Sequence, residues 1–212
     1  MGDLGFGHKN TWMGVPIIRL PEDILLQQEI IWKEKPDLVI EVGVARGGGL
    51  VLNASLQAMA GIPPRVLGVD NKIFQHTRDS IESNPYSSAI TLLEGDSVSR
   101  AIVHQVADFT SGSKKALLVL DSDHSSDHVY KELTSYAPLL SAGSVVIVCD
   151  TLIDELPPGT YQNRTWSNGK GPLDAVQKFL DKNDDFEPFM SDETRSLILT
   201  EIRDGIIRKV EL

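Results

Sequence analysis

The sequence predicts an α/β fold, a mostly parallel, seven-stranded sheet with helices on both faces. Two observations support this class. Short apolar runs, of the length that a buried strand needs, alternate along the chain with longer segments of helical character. Gly and Pro residues separate the two kinds of segment, as they do at turns between elements. This alternation implies right-handed strand–helix–strand crossovers, which build a parallel sheet covered by helices on each side.

The predicted strands are the apolar runs themselves, and the first five of them end in, or are followed at once by, an acidic residue. In chain order these five runs are 38–41, 66–70, 90–94, 116–120 and 144–149. Further strands are predicted at 186–190 and 195–200, and a short piece at 205–210. Because the carboxyl ends of parallel strands meet at one edge of a sheet, the acidic residues are expected to gather there.

Helices are predicted between these strands from start and stop signals. Leu20-Pro21 precedes the first helix, Gly61 and Pro63-Pro64 stop the second, and Pro172 suits the first turn of the last. The predicted helical ranges are 22–35, 50–60, 73–82, 98–109, 128–140 and 172–181.

The domain organisation is predicted to be simple. Residues 1–21 form an N-terminal arm, and residues 22–212 form a single domain. The stretch 151–170 is rich in Pro, Gly, Asn and Thr and has no hydrophobic periodicity, which is typical of a lid-like loop. Acceptor specificity is expected in this loop and around Trp12 in the arm.

Composition excludes some functions. The net charge of −10, with no clustered Lys or Arg, argues against nucleic-acid binding. The single cysteine, Cys149, excludes an intramolecular disulfide. We expect no signal peptide, and the sequence contains no apolar run long enough to span a membrane. The expected location is therefore the cytoplasm, without a membrane partner.

A glycine-rich turn follows the first strand and is the first candidate binding site. Gly43 lets the chain turn sharply, while Gly47 and Gly48 let a ligand and the next helix approach the backbone. Ala45 stands where a dinucleotide fingerprint has its second glycine. Glu41 suits a cofactor with a cationic amino-acid part better than a pyrophosphate. The alternative is a turn that only packs a helix onto a strand.

Acidic residues after the second and third strands are candidates for contacts to a nucleoside. Asp70 ends its strand, where a carboxylate can accept both ribose hydroxyls, although it would also suit a helix N-cap. Asp96 and Ser97 lie where an adenine contact is expected, but either of them can instead cap the next helix.

The densest polar stretch is Leu120-Asp121-Ser122-Asp123-His124-Ser125-Ser126-Asp127-His128. Asp121 and Asp150 follow neighbouring strands, so together they can hold a hard divalent cation. His124 is a candidate general base toward a substrate hydroxyl. For Asp123 and Asp127 helix capping is the favoured interpretation, and for His128 a solvated position on the helix.

Taken together, these motifs resemble the cephalosporin hydroxylase/rhamnosyl O-methyltransferase (CmcI-like) family. The resemblance runs from about Trp12 to Leu180. Its most specific part is the aspartate–histidine stretch. The other matching segments are Glu-x-Gly-x-x-x-Gly-Gly at 41–48, Glu-Gly-Asp-Ser at 94–97, Trp12-x-Gly14-x-Pro16, Lys35-Pro36-Asp37-Leu38, and Gly171-Pro172 with Ala175 and Phe179-Leu180.

The resemblance implies a Rossmann-like, class I fold that binds S-adenosylmethionine (SAM). Glu41 and Gly43 would line its methionine end, Asp70 would hold its ribose, and Asp96 and Ser97 would lie near its adenine. Mg²⁺ would bind to Asp121 and Asp150, and His124 would act as the base. The implied activity is methyl transfer to a hydroxyl of a small molecule, by a homo-oligomer.

One departure from the family pattern concerns the metal. The family's acidic pair after the fifth strand is Glu-Asp, whereas this chain has Cys149-Asp150. Mg²⁺ prefers oxygen ligands, so a cysteine is a poor substitute. Three outcomes stay open: the metal is held by Asp121, Asp150 and water, it binds weakly, or it is absent.

Other functions are weighed against methyl transfer. A non-catalytic SAM-binding protein with a decayed metal site is the main alternative because of Cys149. A non-haem iron hydroxylase needs two histidines and a carboxylate, and no histidine follows His128. A nicotinamide-dependent dehydrogenase would not need the pair Asp121 and Asp150.

Overall fold

The computed structural model describes residues 10–157, 160 and 170–211. Its strands, in chain order, are β1 (Thr11–Trp12), β2 (Val15–Pro16), β3 (Leu38–Val42), β4 (Val66–Asp70), β5 (Ile90–Glu94), β6 (Ala116–Leu120), β7 (Val145–Val148), β8 (Phe186–Pro188) and β9 (Ile206–Lys209). Seven of them, β3 to β9, form one sheet in the order β5-β4-β3-β6-β7-β9-β8. The first five are parallel, and β9 pairs antiparallel with β7 and with β8. The predicted sheet is therefore confirmed.

Helices cover both faces of this sheet, as expected. They are α1 (Pro21–Glu34), α2 (Gly48–Met59), α3 (Gln75–Glu82), α4 (Arg100–Thr110), α5 (Ser126–Tyr136), α6 (Pro172–Leu180) and α7 (Ser191–Ser196). Side chains of α1, α2 and α3 pack in one buried apolar cluster, and those of α4, α5 and α6 pack in another.

Alternation along the strands assigns side chains to these two clusters. In β3, Leu38, Ile40 and Val42 face α4 to α6, whereas Val39 faces α1 to α3. Glu41 follows the same alternation, so its carboxylate is carried to the α1–α3 face, where it is buried.

The predicted strand at 195–200 is wrong. Residues Ser191–Ser196 form α7, and the chain then runs irregularly to β9. Asp192 and Glu193 in the first turn suit the positive end of a helix. The apolar side chains of Ile198 and Leu199, which suggested a strand, are exposed.

The helix boundaries differ from the predicted ones by up to four residues, and α4 and α5 show why. The helix expected at 98–109 begins at Arg100, because Ser99 is its N-cap and accepts a hydrogen bond from the Ile102 N–H at 3.3 Å. The helix expected at 128–140 begins at Ser126 and ends at Tyr136. A 3₁₀ turn follows, consistent with Pro138, which has no N–H to continue the α-helix.

The predicted arm and lid are described in part. Residues 10–20 contain the β1–β2 hairpin, which the sequence did not predict, and they pack against α2. In the predicted lid, Thr151–Glu155 forms a 3₁₀ turn, while 158–159 and 161–169 lie outside the described residues. Among the helices of the described chain, none is long and apolar enough to cross a membrane.

Candidate active site

Acidic residues at or just after the strand ends line the crevice between β3 and β6, where the strand order reverses direction. Glu94 at the end of β5 is an exception, because it pairs with Arg78 instead. Two adjoining cavities open there, the first of about 420 Å³ and the second of about 350 Å³. Both fall within the range of about 300–1,000 Å³ that is typical of small-molecule sites. The residues common to both cavities are Gly43, Ala45, Asp121 and Ser122. The first cavity is also lined by Asp70, Asp96, Ser97 and His128. The second is also lined by Arg19, Glu41, His124, Asp150 and Glu201.

Gly43 is required by a close approach of two strands. A Cβ atom added there would lie 1.9 Å from the carbonyl oxygen of Asp121, and the residue has a φ of +102°. Any side chain would therefore push the ends of β3 and β6 apart.

Gly47 and Gly48 lie outside both cavities. A Cβ at Gly47 would lie 2.8 Å from the side chain of Ile81, and one at Gly48 would lie 2.4 Å from the carbonyl oxygen of Pro16. The room that these glycines leave is occupied by α3 and by the arm, whereas the sequence suggested room for a ligand. Of the residues predicted at this turn, the structure brings Glu41 and Gly43 to the cavities.

Asp70 holds the glycine-rich turn in place. Its Oδ2 accepts hydrogen bonds from the N–H groups of Val44 at 2.9 Å and Ala45 at 3.2 Å, and its Oδ1 accepts from the Lys72 N–H at 3.0 Å. Asp70 also lines the first cavity. It therefore shapes the turn and offers a carboxylate to a ligand.

Asp96 and Ser97 both line the first cavity, and neither caps α4. Asp96 Oδ1 accepts a hydrogen bond from the Val98 N–H at 3.2 Å, which holds the short turn before the helix. The Ser97 hydroxyl donates to Glu132 Oε1 at 2.6 Å.

His128 was predicted to be a solvated helix residue, and this is corrected by the structure. Its side chain is 27% exposed and lines the first cavity. Its Nε2 lies 3.1 Å from Glu132 Oε1 and 3.2 Å from Ser97 Oγ. The hydrogen bond with Glu132 raises the pKa of His128, even though partial burial opposes this. Glu132 lies four residues further along the same helix, whereas Ser97 comes from a distant part of the chain, so the sequence did not show that His128 faces a cavity.

Arg19, which the sequence did not single out, belongs to a ring of four buried polar side chains. In this Arg19 ring, Arg19 donates to Gln27 Oε1, Gln27 donates to Asn53 Oδ1, and Asn53 donates to Glu41 Oε2 at 2.6 Å. The ring closes with Arg19 Nη2 at 4.0 Å from Glu41 Oε1. Arg19 Nη2 also lies 3.3 Å from Asp121 Oδ2. The available sequence signal was a basic residue inside the apolar stretch before α1.

Glu41 is a buried carboxyl whose pKa is set by opposing effects. Burial raises its pKa to about 7, although Arg19 and the hydrogen bond from Asn53 oppose that effect. The Glu41 side chain also leaves no room for a side chain at position 49 in α2, because a Cβ on Gly49 would lie 2.0 Å from Glu41 Oε1. Gly49 is thus needed so that the carboxylate can reach the second cavity.

Asp121, His124 and Asp150 form a group that could hold a metal ion. One ligand atom from each residue lies within 4.8 Å of the others. His124 Nδ1 lies 3.4 Å from Asp150 Oδ2. Burial, reinforced by the nearby Asp121 carboxylate, raises the pKa of Asp150 to about 7. The predicted pair of carboxylates is therefore brought together, and a histidine joins it.

Cys149 takes no part in this group. Its thiol is 5% exposed and packs in the apolar cluster under α1 to α3. Burial raises its pKa well above the ordinary value, which keeps it a neutral thiol. The third potential ligand atom comes from His124, a role that the sequence did not assign to that residue.

Glu201 is a further carboxylate that the sequence did not identify. It lies before β9 and reaches the second cavity. Its N–H donates to Asp23 Oδ2 at 3.0 Å, and its carbonyl accepts from the Leu152 N–H at 3.1 Å. Burial and the neighbouring Asp150 raise the pKa of Glu201 to about 8. It occurs in no motif, so only the fold reveals it.

Comparison with known proteins places this site in a family. The profile of the rhamnosyl O-methyltransferase/CmcI family matches residues 5–210. A rhamnosyl O-methyltransferase of Mycobacterium tuberculosis is 32% identical over 178 residues, which span 82% of this chain and 67% of the relative. The Mycobacterium leprae protein of the same name is 31% identical over 170 residues, or 80% of this chain and 69% of the relative.

Solved structures agree on the fold. An apo structure titled CmcI-N160 has a TM-score of 0.70 at 18% identity and covers 97% of this chain and 78% of its own. A structure titled cmcI-D160 Mg-SAM has a TM-score of 0.66 at 18% identity, with 96% and 78% covered. The SAH-bound methyltransferase PaMTH1 of Podospora anserina has a TM-score of 0.64 at 14% identity, with 89% and 78% covered.

The fold is that of the class I methyltransferases, Rossmann-like and with the site at the carboxyl edge of the sheet. Within that class, the chain belongs to the rhamnosyl O-methyltransferase/CmcI family. It is an O-methyltransferase.

Proposed function

We propose that this O-methyltransferase transfers the methyl group of SAM to a hydroxyl oxygen of a small molecule, such as a sugar or a natural-product intermediate, with the help of Mg²⁺. The observation that carries the proposal is the group of Asp121, His124 and Asp150, which lines the second cavity, with Asp121 also lining the first. The mycobacterial relatives are named for action on a rhamnosyl group, and one structural relative is titled with Mg and SAM.

The cavities suit the parts of SAM. Asp70 and Asp96 in the first cavity offer carboxylate oxygens to ribose hydroxyls and the adenine amino group. Glu41 in the second cavity offers an anionic acceptor to the cationic amino group of the methionine part. When bound, SAM supplies an electrophilic methyl group on its sulfonium. The chain's task is to hold that methyl in line with the acceptor oxygen.

The donor set suits a divalent cation. Asp121 and Asp150 supply carboxylate oxygens, which Mg²⁺ prefers. Burial and, after it, the neighbouring Asp121 carboxylate raise the pKa of Asp150, and a bound cation would offset both effects. A bound Mg²⁺ would orient the acceptor hydroxyl and lower its pKa.

His124 is proposed as the base that accepts the hydroxyl proton. The nearby Asp150 oxygen orients its ring and would stabilise the imidazolium that forms. The structure equally allows His124 as a third metal ligand, since its nitrogen belongs to the same group. His124→Gln distinguishes the two roles: as a base, its loss lowers kcat at unchanged Mg²⁺ affinity, and as a ligand it also weakens Mg²⁺ binding.

Calorimetric titration tests the proposal. The protein is titrated with S-adenosylhomocysteine (SAH), and separately with Mg²⁺. We expect SAH to bind the wild type, and Asp121→Asn and Asp150→Asn to weaken Mg²⁺ binding at least tenfold while the protein stays folded. The matched control is Asp181→Asn, on the exposed side of the chain after α6. Absence of SAH binding to the wild type would overturn the proposed cofactor, and unchanged Mg²⁺ affinity in both variants would overturn the metal site.

The non-catalytic alternative is not favoured, because a potential metal site forms without a carboxylate at position 149. Cys149→Glu tests it: a large gain in Mg²⁺ affinity without any change in activity would favour a decayed site. Hydroxylation is not favoured either. An iron facial triad needs two histidines, and the metal-capable group found within the described residues contains one.

The cytoplasmic location and the homo-oligomeric state stay predictions. Cell fractionation tests the first, and size-exclusion chromatography with light scattering tests the second. The absence of a nucleic-acid partner likewise rests on the charge of the chain.

A further inference from the structure

Glu132 on α5 is a fully buried carboxylate beside the first cavity, with an exposed fraction of 0%. Its Oε1 accepts hydrogen bonds from the hydroxyls of Ser97 at 2.6 Å and Ser122 at 2.7 Å, and it lies 3.1 Å from His128 Nε2. Its Oε2 is buried and has no hydrogen-bond partner within the described chain. A carboxylate in such a place is costly, so its presence calls for a function.

The three hydrogen-bond partners of Glu132 lie in three different parts of the fold, and all of them line the same cavity. Ser97 follows β5, Ser122 follows β6, and His128 lies on α5, and all three line the first cavity. Glu132 itself does not line the cavity. One carboxylate oxygen therefore sets the orientation of three side chains that a ligand would touch.

The first cavity offers mostly acceptors to a ligand. Asp70, Asp96 and Asp123 line it, and ionised carboxylates only accept hydrogen bonds. A purine base, however, also carries ring nitrogens that accept. With Nε2 directed at Glu132, His128 has Nδ1 as its other ring nitrogen, and in the protonated ring both nitrogens donate.

We propose that Glu132 is a positioning residue, which holds His128 as a hydrogen-bond donor to a ring nitrogen of the purine base of the cofactor. The inference rests on the proposed function, because it takes the first cavity as the nucleoside end of the SAM site. It goes further in giving purine recognition to the pair His128 and Glu132, with Ser97 and Ser122 held by the same oxygen.

The charge around His128 supports a donor role. Glu132, on the same helix, raises its pKa through the hydrogen bond, and Asp123 and Asp96, from the loops facing it, add to the effect. The affinity for SAH should therefore fall as pH rises through the pKa of His128, because the donating proton is lost. In Glu132→Gln this fall should move to lower pH, since the carboxylate that favours the proton is gone.

The test measures SAH binding by calorimetry between pH 6 and 9 for wild type, Glu132→Gln and His128→Phe, with the exposed Glu29→Gln as control. We expect about tenfold weaker binding in Glu132→Gln, the loss of one charge-assisted hydrogen bond, and no change in the control. The imidazole NMR signals of His128 should titrate at lower pH in Glu132→Gln. Mg²⁺ affinity, measured in parallel, should stay the same in every variant.

Analogues of SAH lacking one purine ring nitrogen, the 1-deaza, 3-deaza and 7-deaza compounds, make the test independent of how well Glu132→Gln folds. One of them should bind the wild type about tenfold more weakly than SAH, and that difference should vanish in His128→Phe. Equal penalties in wild type and His128→Phe for all three analogues would overturn the inference. A wild type that binds no SAH would instead overturn the proposed function, so the two failures are distinguishable.

Discussion

Replacing Arg19 by Met removes the cation from the Arg19 ring and leaves Glu41 buried without it. Loss of one partner of a buried ion pair costs about 3–5 kcal/mol. Even with the guanidinium in place, burial raises the pKa of Glu41 from 4.5 to about 7, so the ionised carboxylate is already disfavoured in the wild type. Without the guanidinium this carboxyl binds a proton, which limits the cost at neutral pH.

We therefore expect Arg19→Met to lower the free energy of unfolding by about 3 kcal/mol, a fall in Tm of about 6–12 °C for a domain of this size. The sign of the pH dependence follows from the direction of the shift. A carboxyl whose folded-state pKa lies above its unfolded value destabilises the fold increasingly as pH rises from the unfolded pKa to the folded one. Because the variant raises the folded pKa of Glu41 further, its deficit should be larger at pH 8 than at pH 5.5.

Urea denaturation followed by circular dichroism measures these free energies. A double-mutant cycle at pH 8, where the wild-type Glu41 is mostly ionised, supplies the decisive comparison, because there Arg19→Met should cost about 1 kcal/mol less when residue 41 is Gln. Lys33→Met serves as the control, since its ion pair with Glu29 is 57% and 48% exposed and should cost under about 0.5 kcal/mol. A loss below about 1 kcal/mol, or an equal loss in the Glu41→Gln background, would refute the reasoning.

Three further predictions concern the strand ends. Gly43→Ala should prevent folding or lower the free energy of unfolding by more than about 3 kcal/mol, because its Cβ would overlap the Asp121 carbonyl oxygen. The control is Gly112→Ala, which has a φ of +80° but no atom within 4 Å of the added Cβ and should cost about 1 kcal/mol. Thermal melts of the two variants measure the difference. Mg²⁺ affinity should rise about tenfold per pH unit up to about pH 7 and then level off, because Asp150 must lose its proton to bind the ion; a flat calorimetric profile from pH 5.5 to 8 would contradict this. Cys149→Ser should leave Mg²⁺ affinity within about twofold, and the native Cys149 thiol should react with a thiol reagent only after unfolding, since it is buried and its pKa is raised.

Much of the fold follows from local pattern. An apolar run of strand length between helical segments has few ways to be buried, so the first five strands of the sheet and their parallel orientation could be predicted. Local pattern failed at 195–200, where the helix α7 and an irregular segment replaced the predicted strand. There the apolar side chains of Ile198 and Leu199 are exposed, so hydrophobicity did not report burial.

The carboxylates of the site were predictable for the same reason. Parallel strands bring their carboxyl ends to one edge, so Asp121 and Asp150 had to approach each other once β6 and β7 paired. Glu41 and Asp70 follow from the same geometry. The sequence by itself thus determined the class of fold, the edge that carries the site and the acids along that edge.

The partners of those acids were decided by the tertiary structure alone. Arg19 meets Asp121 across 102 residues of chain, and Ser97 meets Glu132 across 35. Neither separation matches the periodicity of a helix or a strand, because each contact depends on how the arm and α5 pack against the sheet. Glu201 similarly reaches its cavity only because β9 inserts beside β7. A hydrogen bond or ion pair needs its atoms in place to within a few tenths of an ångström, and only the packed fold provides that.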